Sequence, residues 1–483
     1  MSKPSLRNSV SFPVLALLIT SFPCAAQNTS AVNVTAPAGF LSSFKQIGKV
    51  TPRSAKEIES SDWSIGCETL DRDLADYSKY KSYLGPLGAK SARLQGGWAK
   101  TEKQHGVYDW KWLDDIIDDM ISQGVQPWVE LSYGNPIYAG GGGPTLGDTI
   151  PRSEEALKAW DAWAKAMVER YKNRITTWEV WNEPDVGKAT SPEDYAAFYI
   201  RTAEIIRAIQ PGAKLYALGL AGRANYVDVL LQTLSAQGKL GLVDVITFHG
   251  YPEVPEKPGD YTTIKEMVEK SGAKIQLLMG ETGAPSSKTT GALSKFAWTE
   301  MLQVKWDLRR MLTYRSISMP MNLFTLSEFI YNDAHRKGLN TKGLLAINPD
   351  KSISHVKPSY YAAQNVFSIF DSTLVRDEDV TGTAGTDKPV SIDGYRKKPS
   401  GNSVVAIWFN SEAAAESNDY TPVDFTFRNV HFKEPVYVDL RTGGVFEIPA
   451  GSWSQEGGET KFRAIPVYDS PILIADKPAF LFK

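Results

Sequence analysis

Two short stretches place acids where bond-breaking chemistry would need them. Trp178-Glu179-Val180-Trp181-Asn182-Glu183-Pro184 presents Glu183 just before a proline, and Met279-Gly280-Glu281-Thr282-Gly283 presents Glu281 between small residues. Two carboxyl groups that converge on one bond can divide the work. One is held protonated and donates to a departing oxygen, while the other stays ionised and attacks the carbon left behind. A lone glutamate would ordinarily be a surface ion-pair partner. A pair that sits at the ends of buried strands is a stronger candidate for chemistry.

The elements that must position these acids can be read from the hydrophobic pattern. Short apolar runs bounded by Gly, Pro or Asn fall at 64–69, 89–95, 126–132, 176–181, 214–220, 244–249, 275–280 and 321–326, as strands buried on both faces should. Helical patterns separate them. Trp112, Leu113, Ile116, Ile117 and Met120 form one apolar stripe, with Asp114, Asp115, Asp118 and Asp119 on the wet side. Ser191-Pro192-Glu193-Asp194 is a helix start with its cap, its first-turn proline and its acids. Eight strand-then-helix units, ending with a helix over 359–370, predict a (β/α)8 barrel. A doubly wound open sheet is the rival, but its Gly-rich phosphate turn is missing after the first strand. The run Gly140–Gly143 has no such context and reads as a loop.

In such a barrel the C-terminal strand ends face the site. Those positions hold Glu68, Arg93 with Trp98, Tyr133, Asn182 with Glu183, His249 with Tyr251, Glu281, and Glu328. Glu183 closes the fourth strand and Glu281 the seventh, nearly opposite each other on the ring. After residue 371 the helical period gives way to short alternating runs at 403–409, 423–427, 435–439, 444–448, 472–475 and 479–482, which predict an antiparallel β-sandwich. The expected organisation is a signal peptide over 1–26, an approach segment of no firm structure over 27–60, a barrel over 61–371 and a β-sandwich over 372–483.

The leader has the order of a secretory signal: Lys3 and Arg7, an apolar run from Val10 to Phe22, then Cys24-Ala25-Ala26. A secreted or periplasmic protein is expected, with no membrane span. Its removal leaves Cys67 as the single cysteine, so the fold must rest on its core rather than on disulfides. Lys+Arg number 53 against 55 Asp+Glu, for a net charge of −2, which provides no basic field for nucleic acid. The 13 Trp and 21 Tyr are enough to fill a core and still line a groove. The histidines, at 105, 249, 335, 355 and 431, are scattered without metal-ligand spacing, so neither a metal nor a cofactor is expected.

The WEVWNEP stretch, with a second glutamate ending the seventh strand, resembles the clan A glycoside hydrolases of family 39-like or family 5-like type. Gly97-Trp98, Glu102, Gly106-Val107-Tyr108-Asp109-Trp110 and Leu113-Asp114 extend the resemblance. It implies a retaining enzyme acting on β-linked glycosides, oligosaccharides or polysaccharides, with Glu183 as acid/base and Glu281 as nucleophile. It also implies that Asn182 holds a sugar 2-hydroxyl, that Arg93 keeps the nucleophile ionised, and that His249 and Tyr251 line the site. The eighth strand ends in Ser327-Glu328 where many clan members place a Trp, and Glu328 becomes a candidate sugar contact. Trp98 and Trp181 are open to two readings, barrel packing or stacking on sugar.

An exo-acting β-xylosidase-like glycosidase is the leading expectation. Endo-acting β-glucanases and mannanases share the catalytic residues. A non-catalytic carbohydrate-binding barrel is the alternative of another class. A retaining mechanism further requires the two carboxyl groups to stand about 5–5.5 Å apart.

Overall fold

The computed structural model describes residues 44–483, apart from 188, 334 and 411. The signal peptide expected over 1–26 lies outside the described residues. Eight parallel strands form a closed barrel: β1 (Trp63–Gly66), β2 (Ser91–Gln95), β3 (Gln126–Leu131), β4 (Thr177–Val180), β5 (Lys214–Leu220), β6 (Val245–His249), β7 (Gln276–Thr282) and β8 (Met321–Leu323). The ring closes where Met321 and Leu323 of β8 pair with Trp63 and Ile65 of β1. These strands are short and buried on both faces because side chains fill the interior and helices cover the outside.

The covering helices are α1 (Lys111–Ser122), α2 (Glu154–Tyr171), α3 (Pro192–Ile209), α4 (Asn225–Ala236), α5 (Tyr261–Ser271), α6 (Glu300–Ser316) and α7 (Pro358–Ile369). Between β1 and β2 the connection is only a broken helical stretch, Tyr77–Tyr80 and Leu84–Leu87. The caps follow the sequence: the Ser191 side chain accepts from Asp194 N at the start of α3, with Pro192 in the first turn. Leu113, Ile116, Ile117 and Met120 of α1 are buried. The aspartates on its other face are held by cations, Asp114 by Arg170, Asp115 by Lys111 and Asp118 by Arg174.

Two antiparallel sheets follow. One has seven strands in the order Gln46–Lys49, Gly444–Glu447, Pro435–Asp439, Ile472–Asp476, Ser403–Phe409, Val390–Lys397, Leu374–Arg376. The other has four, in the order Thr381–Ala384, Thr421–Arg428, Glu459–Val467, Trp453–Glu456. An apolar layer that includes Val405, Phe425, Phe427, Tyr437, Phe462 and Ile474 lies between them. Two sequence expectations are corrected here. The run 479–482 is not a strand: Lys477–Ala479 is a 3-10 turn, and only Phe482 bridges to Val50. The approach segment contributes a true edge strand, Gln46–Lys49, which pairs with Gly444–Glu447 far along the chain.

The sheets brace the barrel through α6. The buried Lys305 donates from Nζ to Ala415 O and to Asp469 Oδ1 at 2.7 and 2.6 Å. Arg309 pairs with Glu256, whose other bond comes from Trp408 Nε1 of the β domain at 2.7 Å. Trp408 is buried, and Trp453 stacks on Phe462 within its own sheet. Neither belongs to an exposed aromatic row.

Candidate active site

The mouth of the barrel is built from the residues just past the strand ends. After β4 the chain turns sharply: Trp181 and Glu183 adopt left-handed backbone conformations, with φ of 67° and 47°. Non-glycine residues there cost about 1–3 kcal/mol each and persist where surrounding contacts enforce them. Trp181 N donates to Leu131 O and Glu183 N to Gly219 O, both at 3.0 Å. Gly219 is itself left-handed, with φ of 51°, and a Cβ there would sit 3.2 Å from the Arg93 guanidinium. Glu281 lies within β7, directly across from His249 of β6 in the ladder.

The two glutamates meet over His249. Its Nδ1 lies 2.7 Å from Glu183 Oε1 and 3.5 Å from Glu281 Oε2. One oxygen of each glutamate and the imidazole nitrogen all fall within 4.8 Å of one another. Among the described residues these three are also the group near enough to share a metal ion. Tyr251 donates its hydroxyl to Glu281 Oε1, and Arg93 Nη1 approaches Glu281 Oε2 at 3.4 Å. Burial, reinforced by Asp185, pushes Glu183 up to about 7 against the pull of Arg336 and Arg93. Burial pushes His249 down to about 4, so its contact with Glu183 at neutral pH is a hydrogen bond and not an ion pair.

Beneath them, Arg93 is surrounded by acids. Its Nε donates to Glu179 at 2.8 Å, its Nη2 to Glu130 and to Asn182 Oδ1, the latter at 2.9 Å, and its Nη1 reaches Glu68 at 3.5 Å. Glu130 and Glu179 face each other across adjacent strands. One guanidinium cannot neutralise four clustered carboxylates, three of them fully buried. Burial accordingly pushes Glu68 and Glu130 up to about 8, with Arg93 opposing in both cases. Glu179 and Glu281 share the same guanidinium, at 2.8 and 3.4 Å.

A cavity of about 320 Å³ opens onto this cluster. Of the residues expected at the site, Asn182, Glu183, His249, Tyr251, Glu281 and Tyr133 all line it. Asn182 is fixed at both ends, with Nδ2 donating to Tyr133 at 2.8 Å. Arg93 sits one layer below and touches the cavity-lining Glu281 and Asn182. Besides Arg93, the structure keeps three expected residues away from the cavity. Trp98 is fully buried, stacked on Tyr138 and Trp163 with its Nε1 bonded to Glu102, and so belongs to the packing between barrel and helices. Trp181 lies in the same aromatic layer, against Trp160, Tyr133 and Phe198. Glu328 is buried against Lys357 at 2.5 Å and accepts from Ile347 N. The reason is that β8 ends at Leu323, not at 326, so Phe324 occupies the mouth position.

The structure adds wall residues that strand-end reasoning did not reach. Arg72 comes from the turn after β1. Tyr331, Arg336 and Asn340 come from a hairpin, Phe329–Asn332 with Lys337–Asn340, that follows β8. Lys342 completes this wall. The aromatic and β-branched run Phe329-Ile330-Tyr331, followed by Asn332-Asp333, was the available strand-and-turn signal. Across the opening stands Leu146 of the loop after β3, and His335 Nε2 reaches Asp148 of that loop at 3.3 Å. The hairpin and the loop after β3 thus meet beside the cavity.

Residues 95–281 match the model of the glycosyl hydrolases family 39, a segment that contains Glu183 and ends on Glu281. Over 230 residues the chain is 30% identical to a beta-xylosidase of Caldicellulosiruptor saccharolyticus, covering 43% of this chain and 45% of that protein. The chain thus spans less than half the length of that relative. Among solved structures, a family 39 glycoside hydrolase from the gut symbiont Bacteroides cellulosilyticus WH2 superposes with a TM-score of 0.64 at 19% identity, over 86% of this chain and 81% of the other. A monomeric beta-xylosidase from Caulobacter crescentus CB15 gives 0.57 at 18% identity, over 89% and 97%. The shared architecture is the barrel with appended antiparallel sheets. In its matched segment and in its fold, the chain is similar to the family 39 glycosyl hydrolases.

Proposed function

We propose that the protein is a retaining, exo-acting β-glycosidase. The observation that carries this reading is the approach of Glu183 and Glu281 to within 4.8 Å across a walled cavity. An inverting enzyme needs roughly 6.5–9.5 Å between its carboxyl groups to admit a water. In the first step a Glu281 oxygen bonds to the anomeric carbon, the glycosidic C–O bond breaks, and the Glu183 proton passes to the leaving oxygen. In the second step Glu183 takes a proton from water, the water oxygen bonds to the anomeric carbon, and the ester to Glu281 breaks. Glu183, raised to about 7, holds a proton at mildly acidic pH and can accept one back. Arg93 and Tyr251 compensate the charge of the nucleophile before the first step.

The pocket formed by Leu146, Tyr331 and Arg336 supports exo action, because an endo enzyme needs a groove open at both ends. A secreted or periplasmic location is part of the same proposal and follows from the leader over 1–26. Turnover of a panel of 4-nitrophenyl β-glycosides by the wild type, lost in Glu281→Ala, would support the reading. Cleavage within long polysaccharides, with no activity on any aryl glycoside, would replace exo with endo action. Binding of sugars without turnover of either class would leave a carbohydrate-binding barrel.

A further inference from the structure

The fully buried lysines and arginines of the described residues are each held by oxygen, with one exception. Lys305 pairs with Asp469, Lys357 with Glu328, Arg309 with Glu256 and Arg441 with Asp439. Arg93 has its four glutamates, and Arg310 donates to the carbonyls of Pro255 and Lys257. Lys342 is only 2% exposed, and among the described residues its ammonium has neither a hydrogen bond nor an ion pair. Its contact is the face of Tyr251, 5.2 Å away, the same tyrosine that donates to Glu281.

A second cation, the half-buried Arg336, lines the same wall. Arg336 lies over the ring of Tyr331 at 5.1 Å and makes one long side-chain bond, 3.4 Å to the Tyr331 hydroxyl. No carboxylate among the described residues pairs with it. Arg72, the third cation of the cavity, is already satisfied by Asp71 at 3.1 Å and by Gln95. The acids that face Lys342 and Arg336 are Glu281, which Arg93 and Tyr251 already serve, and Glu183, which the proposed first step needs in its protonated form.

A buried ammonium without a counter-charge is costly unless a ligand supplies one. A neutral sugar supplies only hydroxyls. We propose that the sugar bound in this cavity carries an oxyanion, a uronate carboxylate or a sulfate ester, held by Lys342 and Arg336. The fork of a guanidinium and the point charge of an ammonium together suit a planar or tetrahedral oxyanion at close range. The inference rests on the glycosidase reading for its turnover assay but not for its binding assay.

The test uses the full chain and pairs of 4-nitrophenyl β-glycosides that differ only at carbon 6: glucuronide, glucoside and glucoside 6-sulfate, with the galacto series alongside. At least one acidic member should show kcat/KM ten or more times that of its neutral partner, and which acidic member leads separates carboxylate from sulfate. Lys342→Met should abolish that preference while raising Tm, because it removes an unpaired buried charge. The idea is overturned if the neutral member is preferred in both series. It is equally overturned if Lys342→Met lowers acidic and neutral substrates alike, or if it lowers Tm. Calorimetric titration with glucuronate, galacturonate, glucose 6-sulfate and glucose makes the same comparison without catalysis. Tighter binding of an acidic sugar in a protein that turns nothing over would keep this inference and remove the hydrolase reading. No anion binding better than glucose, in a protein that hydrolyses neutral glycosides, would do the reverse.

Discussion

At the C-terminal end of the barrel the cavity of about 320 Å³ is lined by Glu68, Glu183, Glu281, His249, Arg72, Arg336 and Lys342. At the opposite end a cavity of about 200 Å³ is lined by Ser64, Ser91, Gln126, Gln276, Trp128 and Tyr216, with Asp62 and Lys214 as its charged residues. Both hollows follow from a ring of strands whose ends diverge, so concavity alone does not mark a site. The difference lies in charge. The upper end gathers acids in numbers that one arginine cannot balance, so Glu68 and Glu130 are raised, and burial beside Asp185 raises Glu183, the proton donor of the proposed mechanism. The lower end holds no such cluster of acids: Trp128 donates to Ser64, which donates to Asn322, and Asn322 Nδ2 donates onward to Gly280 O at 3.1 Å and to Glu68 of the upper cluster at 3.3 Å.

The sharpest way to break this comparison is at the two glutamates. Glu281→Ala and Glu183→Ala should each lower kcat/KM by roughly 10²–10⁴-fold or more, measured on an aryl glycoside that the wild type turns over. Tyr216→Phe at the lower end should leave kcat/KM unchanged and alter stability by no more than about 0.5 kcal/mol. Comparable losses at both ends would erase the distinction.

Arg93→Met comes next. It leaves Glu130, Glu179 and Glu68 without their cation and should cost about 3–5 kcal/mol of stability, read as a lowered denaturation midpoint. A fully stable variant would mean that these acids are neutral without help from the arginine.

The pH dependence sharpens the same point. Glu68 and Glu130 are raised to about 8 in the fold, so the native state holds protons that the unfolded chain has already released. Stability must therefore fall as pH rises from 6.5 to 8.5. The neutral His249, lowered to about 4, acts in the opposite sense only below its ordinary value. Over the same window kcat/KM should decline as Glu183, near 7, loses its proton. Calorimetric scans and a pH–rate profile check both, and a Tm that rises with alkalinity would contradict the buried protons. The smallest kinetic effect expected at the upper end is Tyr251→Phe, which removes one donor from Glu281 and should lower kcat/KM roughly tenfold.

Much of this was legible in the sequence, and the boundary of legibility has a physical cause. Strands buried on both faces announce themselves as short apolar runs, and β5 was read to the residue. The strand ends then delivered Asn182, Glu183, His249, Tyr251 and Glu281, because a parallel barrel sends all its C-terminal ends to one face. Three further assignments failed where side-chain direction or strand length decided the outcome. Trp98 and Trp181 point into the packing layer beneath the helices, and the same apolar surface would serve for sugar stacking, so composition could not separate the two. Glu328 was carried to the mouth by a strand read three residues too long. Lys342, Arg336 and Arg72 stayed hidden because they arrive on loops whose paths are set by tertiary contacts, such as His335 with Asp148, and not by any local period. The strand at Gln46–Lys49 was likewise invisible, since its partner is Gly444–Glu447 and nothing near it in sequence specifies the pairing.

The most direct test of the account is the anomeric configuration of the first sugar released, followed by proton NMR as an aryl β-glycoside is hydrolysed. The spacing of Glu183 and Glu281 predicts that the β-anomer appears first and then mutarotates. An α-anomer as the first product would contradict the glycosyl-enzyme at Glu281 and with it the roles assigned to both glutamates.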